Sequence, residues 1–157
     1  MLKHLLLILS LSSAIVIASP NLNSNELKRD SIVNFAQSLL KTPYLWGGVS
    51  PKGFDCSGFL YYVYHHHRIK VSRTSSSYAN KGTKVAINTV KPADVLLFTG
   101  TDSSKRRVGH IGMVISNING EVTFIHSSSS KKHYGVTLTK YNNSGYVKRF
   151  LKAISIL

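Results

Sequence analysis

The sequence predicts an α+β fold in which N-terminal helices pack on a mainly antiparallel sheet of five to six strands. The first observation is helical periodicity, because apolar residues recur at intervals of three and four in two segments between residues 25 and 68. The second is a change after residue 74, where short apolar runs alternate with turn residues. Helices followed by strands are typical of α+β domains. Because 157 residues suffice for one hydrophobic core, we expect residues 19–157 to form a single domain.

The first 18 residues have the pattern of a signal peptide. Lys3 supplies a positive start, residues 5–18 are mostly apolar, and Val16 and Ala18 occupy the small-residue positions before a cleavage site. The apolar run is shorter than the roughly 20 residues that a membrane-spanning helix needs, which favours cleavage over a signal anchor. We therefore expect an exported protein in the periplasm or at the cell exterior.

The composition indicates an anionic partner. The chain has 20 Lys and Arg against 6 Asp and Glu, a formal net charge of +14. Such a surface attracts polyanions. For an exported protein the partners that fit are anionic wall polymer, a membrane surface or peptide carboxylates, and no nucleic acid is expected. The alternative is a basic surface without a specific partner.

Two helices are predicted before residue 70. The first covers residues 25–40 and ends at Thr42 and Pro43. The segment 46–54 is rich in Gly and Pro and predicts a loop that can approach a ligand closely. The second helix runs from Cys56 to about Arg68. Its buried face is predicted to consist of Phe59, Leu60, Val63 and Tyr64, with Asp55 as N-cap.

The remaining chain is predicted to form the sheet, because short apolar runs are separated by turn residues. The predicted strands are residues 84–87, 94–99, 107–116, 121–127, 135–139 and 146–156.

Cys56 is the predicted nucleophile. As the one cysteine of the chain it cannot form an internal disulfide. A helix N-terminus favours the reactive thiolate, and the Cys56 amide, free of an intrahelical partner, could donate to an oxyanion. The alternative is a buried structural cysteine, which the neighbours Asp55, Ser57 and Gly58 do not favour.

A cysteine nucleophile needs a histidine base that is distant in sequence and close in space. Residues 65–67 are all His, but they lie roughly 14 Å or more along the helix from Cys56 at the rise of an α-helix. We interpret this tract as an exposed helix end. His110 lies in a predicted strand, and Gly109 and Gly112 leave room beside it. His110 is therefore the predicted base.

His126 is the candidate for a third residue that orients His110. The two strands that carry these histidines are joined at residues 118–120. If only the last two of these residues formed the loop, and no bulge followed, His126 would face Met113 on the opposite side of the sheet from His110. A three-residue loop would instead place His126 opposite Gly112, diagonal to His110 on the same face. A triad therefore predicts the three-residue loop.

Several sequence blocks occur in an order typical of one enzyme family. The blocks are PYLWGG at 43–48, GFDCSGF at 53–59, SRTS at 72–75, KPADV at 91–95, GHIG at 109–112 and FIHS at 124–127. Together they resemble the NlpC family of papain-like peptidoglycan peptidases, from about residue 27 to the C-terminus. The resemblance implies a papain-like arrangement of the α+β fold.

The resemblance also implies a role for each matched catalytic residue. Cys56 would attack the peptide carbonyl, His110 would transfer the proton and His126 would orient His110. The hydroxyl of Tyr44 would help to stabilise the oxyanion. Packing at a loop is the alternative for Tyr44, as it is for Trp46.

Three further residues are implied to lie near the substrate. Asp55 and Ser57 would contact the substrate peptide, and Asp55 suits a free amine, although it could be only a helix cap. Arg73 could bind a substrate carboxylate, with a surface salt bridge or a solvated side chain as the alternatives. The departures from the family pattern, which include Ser72 for Pro and a basic cluster at 105–107, bear on substrate binding and leave the proposed triad intact.

The function implied by the resemblance is that of an exported cysteine endopeptidase. It would hydrolyse stem-peptide amide bonds of peptidoglycan through a Cys thioester, with the D-γ-glutamyl–diamino acid bond favoured and the diamino acid–D-Ala cross-link next. No metal or other cofactor is implied, and we expect a monomer. The alternatives are an amidase or acyltransferase with the same triad, and a non-catalytic cationic wall-binding module.

Overall fold

Two helices and a six-stranded sheet form most of the fold in a computed structural model, which describes residues 23–157. The expected signal peptide at residues 1–18 lies outside the described residues. The helices are α1 (Ser24–Ser38), α2 (Cys56–His66) and the single turn α3 (Tyr146–Arg149). The strands are β1 (Val49–Ser50), β2 (Gly53–Phe54), β3 (Thr83–Val85), β4 (Val95–Thr99), β5 (Val108–Ile118), β6 (Glu121–Ser128), β7 (Gly135–Lys140) and β8 (Phe150–Ser155).

The sheet has the order β3-β8-β4-β5-β6-β7, and all its neighbouring strands are antiparallel. The predicted α+β class and the number of strands are thereby confirmed. The segment predicted as a loop between α1 and α2 contains a small hairpin of β1 and β2. Within residues 23–157, none of the helices is long and apolar enough to cross a membrane.

The core lies on both faces of the sheet. One apolar cluster joins α1 and α2 to the sheet and includes Ile32, Phe59 and Ile111. A second cluster, on the other side, includes Phe98 and Phe124. All five residues of β4 are buried, so this central strand is covered from both sides.

Helix α2 begins at Cys56 and ends at His66, two residues before the predicted end. Asp55 is the N-cap, and its carboxylate accepts a hydrogen bond of 2.7 Å from the Gly58 amide. The predicted buried face is confirmed, because its four apolar residues are fully buried. Of the histidine tract, His65 and His66 are exposed, and the His66 ring stacks on Phe35 of α1 at 3.7 Å between ring centroids.

The predicted strand at residues 146–156 is wrong in its first part, because residues 146–149 form the turn α3. The Ser144 hydroxyl accepts a hydrogen bond from the Tyr146 amide at 3.2 Å. The turn packs the Tyr146 ring against Phe98 and Phe124 of the sheet, with centroids 4.8 and 5.1 Å apart. Tertiary packing thus overrides the alternating pattern that predicted a strand.

The loop between β5 and β6 differs from the prediction. Ile118 pairs with Glu121, so the loop has two residues, Asn119 and Gly120, with φ of 52° and 87°. Such a loop is typical of a tight hairpin in which both central residues have positive φ, a conformation that Asn and Gly tolerate. The prediction of a three-residue loop is therefore wrong.

A β-bulge restores the register that the loop alone would not give. Between Val114 and Ser116 the pairing shifts by one residue, so that Met113 faces Ile125. A bulge inserts one extra residue in one strand and so reverses the side on which every later residue lies. As a result, His126 comes to the same face as His110, which is the arrangement that the three-residue loop was expected to produce.

Candidate active site

A cleft of about 520 Å³ is lined by the start of α2 and by β5. Cys56 contributes to it from the first position of α2, and His110 contributes from β5. The fold therefore brings the predicted nucleophile and the predicted base, 54 positions apart in the chain, to one cavity.

The thiol of Cys56 is half-buried and lies among backbone amides. Burial raises the pKa of the Cys56 thiol, and the charge of Asp55 raises it further, while the amides of Ile111, Ser57 and Cys56 itself oppose this shift. The Ile111 amide follows His110 directly, which places the sulfur against β5. The start of α2 was expected to favour the thiolate, but burial and the charge of Asp55 outweigh this effect and raise the pKa of the thiol. If Cys56 is the nucleophile, it starts as a thiol and needs a base.

His110 and His126 form a hydrogen-bonded pair. The Nε2 atom of His110 lies 2.9 Å from Nδ1 of His126, and Nε2 of His126 lies 3.0 Å from the hydroxyl of Thr139. One assignment of protons satisfies both contacts and leaves His110 a base. In it His110 donates from Nε2 to His126, His126 donates from Nε2 to Thr139, and Nδ1 of His110 carries a free lone pair.

Both rings are held in the neutral form. Burial, followed by the neighbouring His126 and Arg149, lowers the pKa of His110 well below its ordinary value. Burial, Arg149 and His133 lower the pKa of His126 to about 3. A cleft that holds an unprotonated histidine and a protonated thiol contains the two groups that general-base catalysis needs.

Gly112 allows the two histidine strands to approach. A Cβ atom at this position would lie 2.5 Å from Cδ2 of Phe124 and 3.2 Å from Cβ of His126. The Phe124 ring in turn packs on the His126 ring, with centroids 4.9 Å apart. Any side chain at position 112 would therefore displace the partner of His110.

Asp55 and Arg73 form an ion pair at the edge of the cleft. Arg73 donates from Nη1 and Nη2 to the two carboxylate oxygens of Asp55 at 3.0 and 2.7 Å, and the Gly47 amide donates to the same carboxylate at 3.0 Å. Burial alone would raise the pKa of Asp55, but hydrogen bonds from Arg73 and Gly58 hold it below its ordinary value. This geometry favours the helix-cap alternative for Asp55 and the salt-bridge alternative for Arg73.

Ser57 is buried beside this ion pair. Its hydroxyl donates to Asp55 at 3.3 Å and accepts from Arg73 at 3.0 Å. All three side chains line the cleft. A role of any of them in binding substrate stays a prediction.

Two aromatic residues, Tyr44 and Trp46, border the cleft. Burial, then the neighbouring Cys56 and Asp55, raises the pKa of Tyr44, so its hydroxyl keeps its proton and can donate to an oxyanion. Trp46 is 86% exposed and lines the cleft without being buried by it. The packing alternative considered for Trp46 is therefore wrong, because an indole used for packing would be covered.

Sequence reasoning missed three residues of the site: Thr139, Tyr146 and Arg149. Thr139 follows in β7 two positions after Thr137, which pairs with His126. Thr139 is therefore the diagonal neighbour of His126, and diagonal neighbours lie on the same face of a sheet. The pairing of β6 with β7 is the signal that could have identified Thr139. Tyr146 packs on the His110 ring at 5.6 Å between centroids, and Arg149 lines the cleft. Both belong to α3, which was predicted as a strand.

The described part of the chain contains no group of three or more His, Cys, Asp and Glu that could hold a metal ion. The residues that line the cleft supply a thiol, an imidazole and several hydrogen-bond donors. This set suits nucleophilic attack on an acyl group.

Known proteins resemble this chain in sequence. The model of the NlpC/P60 family matches residues 41–155, a range that includes Cys56, His110 and His126. A gamma-D-glutamyl-L-lysine dipeptidyl-peptidase of Bacillus cereus is 32% identical over 124 residues, which are 79% of this chain and 35% of that protein. A probable peptidoglycan endopeptidase LytE of Bacillus subtilis is 36% identical over 128 residues, 81% of this chain and 34% of that protein.

The fold is also similar to solved structures. A crystal structure of an NlpC/P60 family protein from Bacillus cereus matches with a TM-score of 0.73 and 30% identity, covering 82% of this chain and 40% of that one. The predicted papain-like arrangement is confirmed by this likeness. The chain spans about a third of the length of the two curated relatives.

Proposed function

Since the chain belongs to the NlpC/P60 family, we propose that it is an exported cysteine endopeptidase that hydrolyses stem-peptide amide bonds of peptidoglycan. The observation that carries this proposal is the shared cleft of Cys56 and His110, with His126 hydrogen-bonded to His110 at 2.9 Å. The relatives named as a gamma-D-glutamyl-L-lysine dipeptidyl-peptidase and a probable peptidoglycan endopeptidase support the substrate class.

The proposed reaction begins with transfer of the Cys56 proton to Nδ1 of His110. The sulfur attacks the peptide carbonyl, and the oxyanion accepts hydrogen bonds from the Cys56 amide and the Tyr44 hydroxyl. His110 then gives its proton to the nitrogen of the leaving amine, and a thioester remains on Cys56. His110 next removes a proton from water, which attacks the thioester and releases the acid, and the thiol regains its proton.

His126 supports this cycle by accepting the Nε2 proton of His110. In the neutral state this hydrogen bond selects the tautomer of His110 that can act as a base, and it fixes the ring orientation. When His110 becomes an imidazolium during the reaction, Nδ1 of His126 remains an acceptor for its second N–H. Thr139 keeps His126 in that tautomer by accepting from its other nitrogen.

The bond that we favour is the one between D-γ-glutamate and the diamino acid, because a relative is named for gamma-D-glutamyl-L-lysine. The cross-link between the diamino acid and D-Ala is the second candidate bond.

Two further parts of the proposal rest on sequence alone. Export rests on the signal-peptide pattern of residues 1–18, and affinity for anionic wall polymer rests on the excess of Lys and Arg over Asp and Glu.

The alternatives are an amidase or acyltransferase with the same triad, and a non-catalytic wall-binding module. A binding module has no need of a nucleophile, a base and an orienting residue in one cleft. An acyltransferase would pass the acyl group to an amine instead of to water. Its products would therefore contain a new amide bond where the peptidase products have a free carboxylic acid.

The test is digestion of purified sacculi with residues 19–157, followed by mass spectrometry of the released fragments. The unaltered sequence should release fragments with new carboxyl ends, and Cys56→Ala should release none, because the thioester cannot form. His65→Ala, an exposed change in the same helix, is the matched control and should behave like the unaltered protein. Equal release by Cys56→Ala would contradict the proposal. Binding of sacculi without release by any variant would favour the binding module.

A further inference from the structure

Arg149 is a cation in the cleft that the reaction described above does not use. It lies at the end of α3 and lines the same cavity as Cys56 and His110. The other arginine of that cavity, Arg73, is neutralised by Asp55. Arg149 therefore differs from Arg73 in having no carboxylate of the described chain paired with it.

The guanidinium of Arg149 is held in place by its surroundings. Its Nη2 donates to the carbonyl of Thr99 at 2.9 Å, and its carbon lies 4.6 Å above the centre of the Tyr146 ring. Arg106 donates to the backbone carbonyls on either side, those of Lys148 at 3.4 Å and Phe150 at 2.8 Å. A charged group that is fixed before the ligand arrives loses little conformational freedom on binding.

This fixed cation has no anionic partner among residues 23–157. The ion pairs in this part of the chain join Arg29 to Asp94, Arg73 to Asp55 and Lys105 to Asp102. Arg149 nevertheless lines the cleft, where a ligand can reach it. A charged donor in a binding cleft is normally paired, so we expect its acceptor to come from a bound molecule.

We propose that Arg149 binds a carboxylate of the substrate and thereby selects peptides with a free carboxylate close to the bond that is cleaved. This inference rests on the proposed function and deepens it. A glutamyl residue linked through its γ-carboxyl keeps its α-carboxylate, which a short carbon chain, about 5 Å long when extended, separates from the scissile carbonyl. That carboxylate would lie in the same cleft as Cys56.

Binding of this carboxylate would also help the base. After burial, Arg149 is among the groups that lower the pKa of both His110 and His126. A carboxylate paired with Arg149 offsets its positive charge, so His110 takes up the Cys56 proton more readily when the correct substrate is bound. Specificity and activation would thus depend on one contact.

The test compares two γ-D-glutamyl-lysine peptides, one with a free α-carboxylate and one with an α-carboxamide. Binding is measured by calorimetry in the Cys56→Ala protein, so that no cleavage interferes. This protein should bind the carboxylate peptide on the order of tenfold more tightly, as expected for a charge-assisted hydrogen bond. Adding Arg149→Gln should remove the preference, and adding Arg149→Lys should retain part of it.

Lys148→Gln is the matched control, since it removes the same charge from the exposed neighbouring side chain and should leave the preference intact. If Arg149→Gln does not fold, the intermediate preference expected of Arg149→Lys decides the matter. Equal binding of the two peptides, or an undiminished preference in the Arg149 variants, would overturn the inference. If the protein that retains Cys56 binds the carboxylate peptide preferentially and yet cleaves neither peptide, that result would contradict the proposed function and leave the inference about Arg149 intact.

Discussion

Replacing His126 with Ala is expected to lower kcat/KM for stem-peptide cleavage by about 10³-fold, within the range found for groups that support general-base catalysis. Without the acceptor at Nδ1 of His126, nothing fixes the tautomer of His110, and its imidazolium loses a hydrogen bond of 2.9 Å. Steady-state kinetics on a γ-D-glutamyl-lysine peptide would measure the effect.

Two further variants separate this role from simple packing. His126→Asn supplies an amide oxygen that can accept from His110, so it should recover part of the lost activity. Thr139→Val removes the acceptor for the other nitrogen of His126 without changing the size of the side chain, and should cost about tenfold. If His126→Asn is as inactive as His126→Ala while both remain folded, His126 does not act through that hydrogen bond.

Replacing Gly112 with Ala is expected to damage both stability and activity. The new Cβ would lie 2.5 Å from the Phe124 ring, so the ring must move, and overpacking of this kind costs about 1–3 kcal/mol in the free energy of unfolding. Because Phe124 packs on His126, the displacement should also lower kcat/KM by roughly 10²-fold. Denaturant unfolding and peptide kinetics would measure the two effects.

Gly145→Ala is the matched control, because a Cβ at that position meets nothing within 4 Å and its φ of -60° suits any residue. It should leave both quantities nearly unchanged. A Gly112→Ala protein with normal stability and normal cleavage would show that the close approach of β5 and β6 is not required.

The places of the proposed nucleophile and the proposed base in the fold could be predicted because their signals are local. Cys56 follows a capping Asp at the start of a periodic apolar segment, and the structure begins α2 at that residue. His110 lies between glycines in an apolar run that forms β5. Both the helix and the strand depend on residue periodicity, which the sequence displays directly.

The register that brings His126 to His110 could not be predicted in the same way. The loop at Asn119 and Gly120 has the residues typical of a two-residue turn, and it has that length. The compensating bulge between Val114 and Ser116 has no marker in the sequence, because it depends on pairing with β6 and on packing. The triad was expected to require a three-residue loop, and that prediction of the loop is wrong because the bulge gives the same register.

Arg149 escaped prediction for a similar reason. The sequence predicted a strand at residues 146–156, and a strand gave no reason to place Arg149 in the cleft. In the structure Arg149 belongs to the turn α3 and lines the cleft. The turn is stabilised by tertiary packing of Tyr146 on Phe98 and Phe124. Long-range contacts of this kind cannot be derived from the pattern of a short segment.

The central claim is that Cys56 becomes acylated by the substrate. The most direct measurement is rapid acid quenching of the reaction with a γ-D-glutamyl-lysine peptide, followed by intact-protein mass spectrometry and mapping of the modified peptide. We predict a transient adduct with the mass of the glutamyl portion on the segment that contains Cys56, and none in Cys56→Ala. Cleavage of the same peptide by Cys56→Ala, or an adduct on another residue, would contradict the claim.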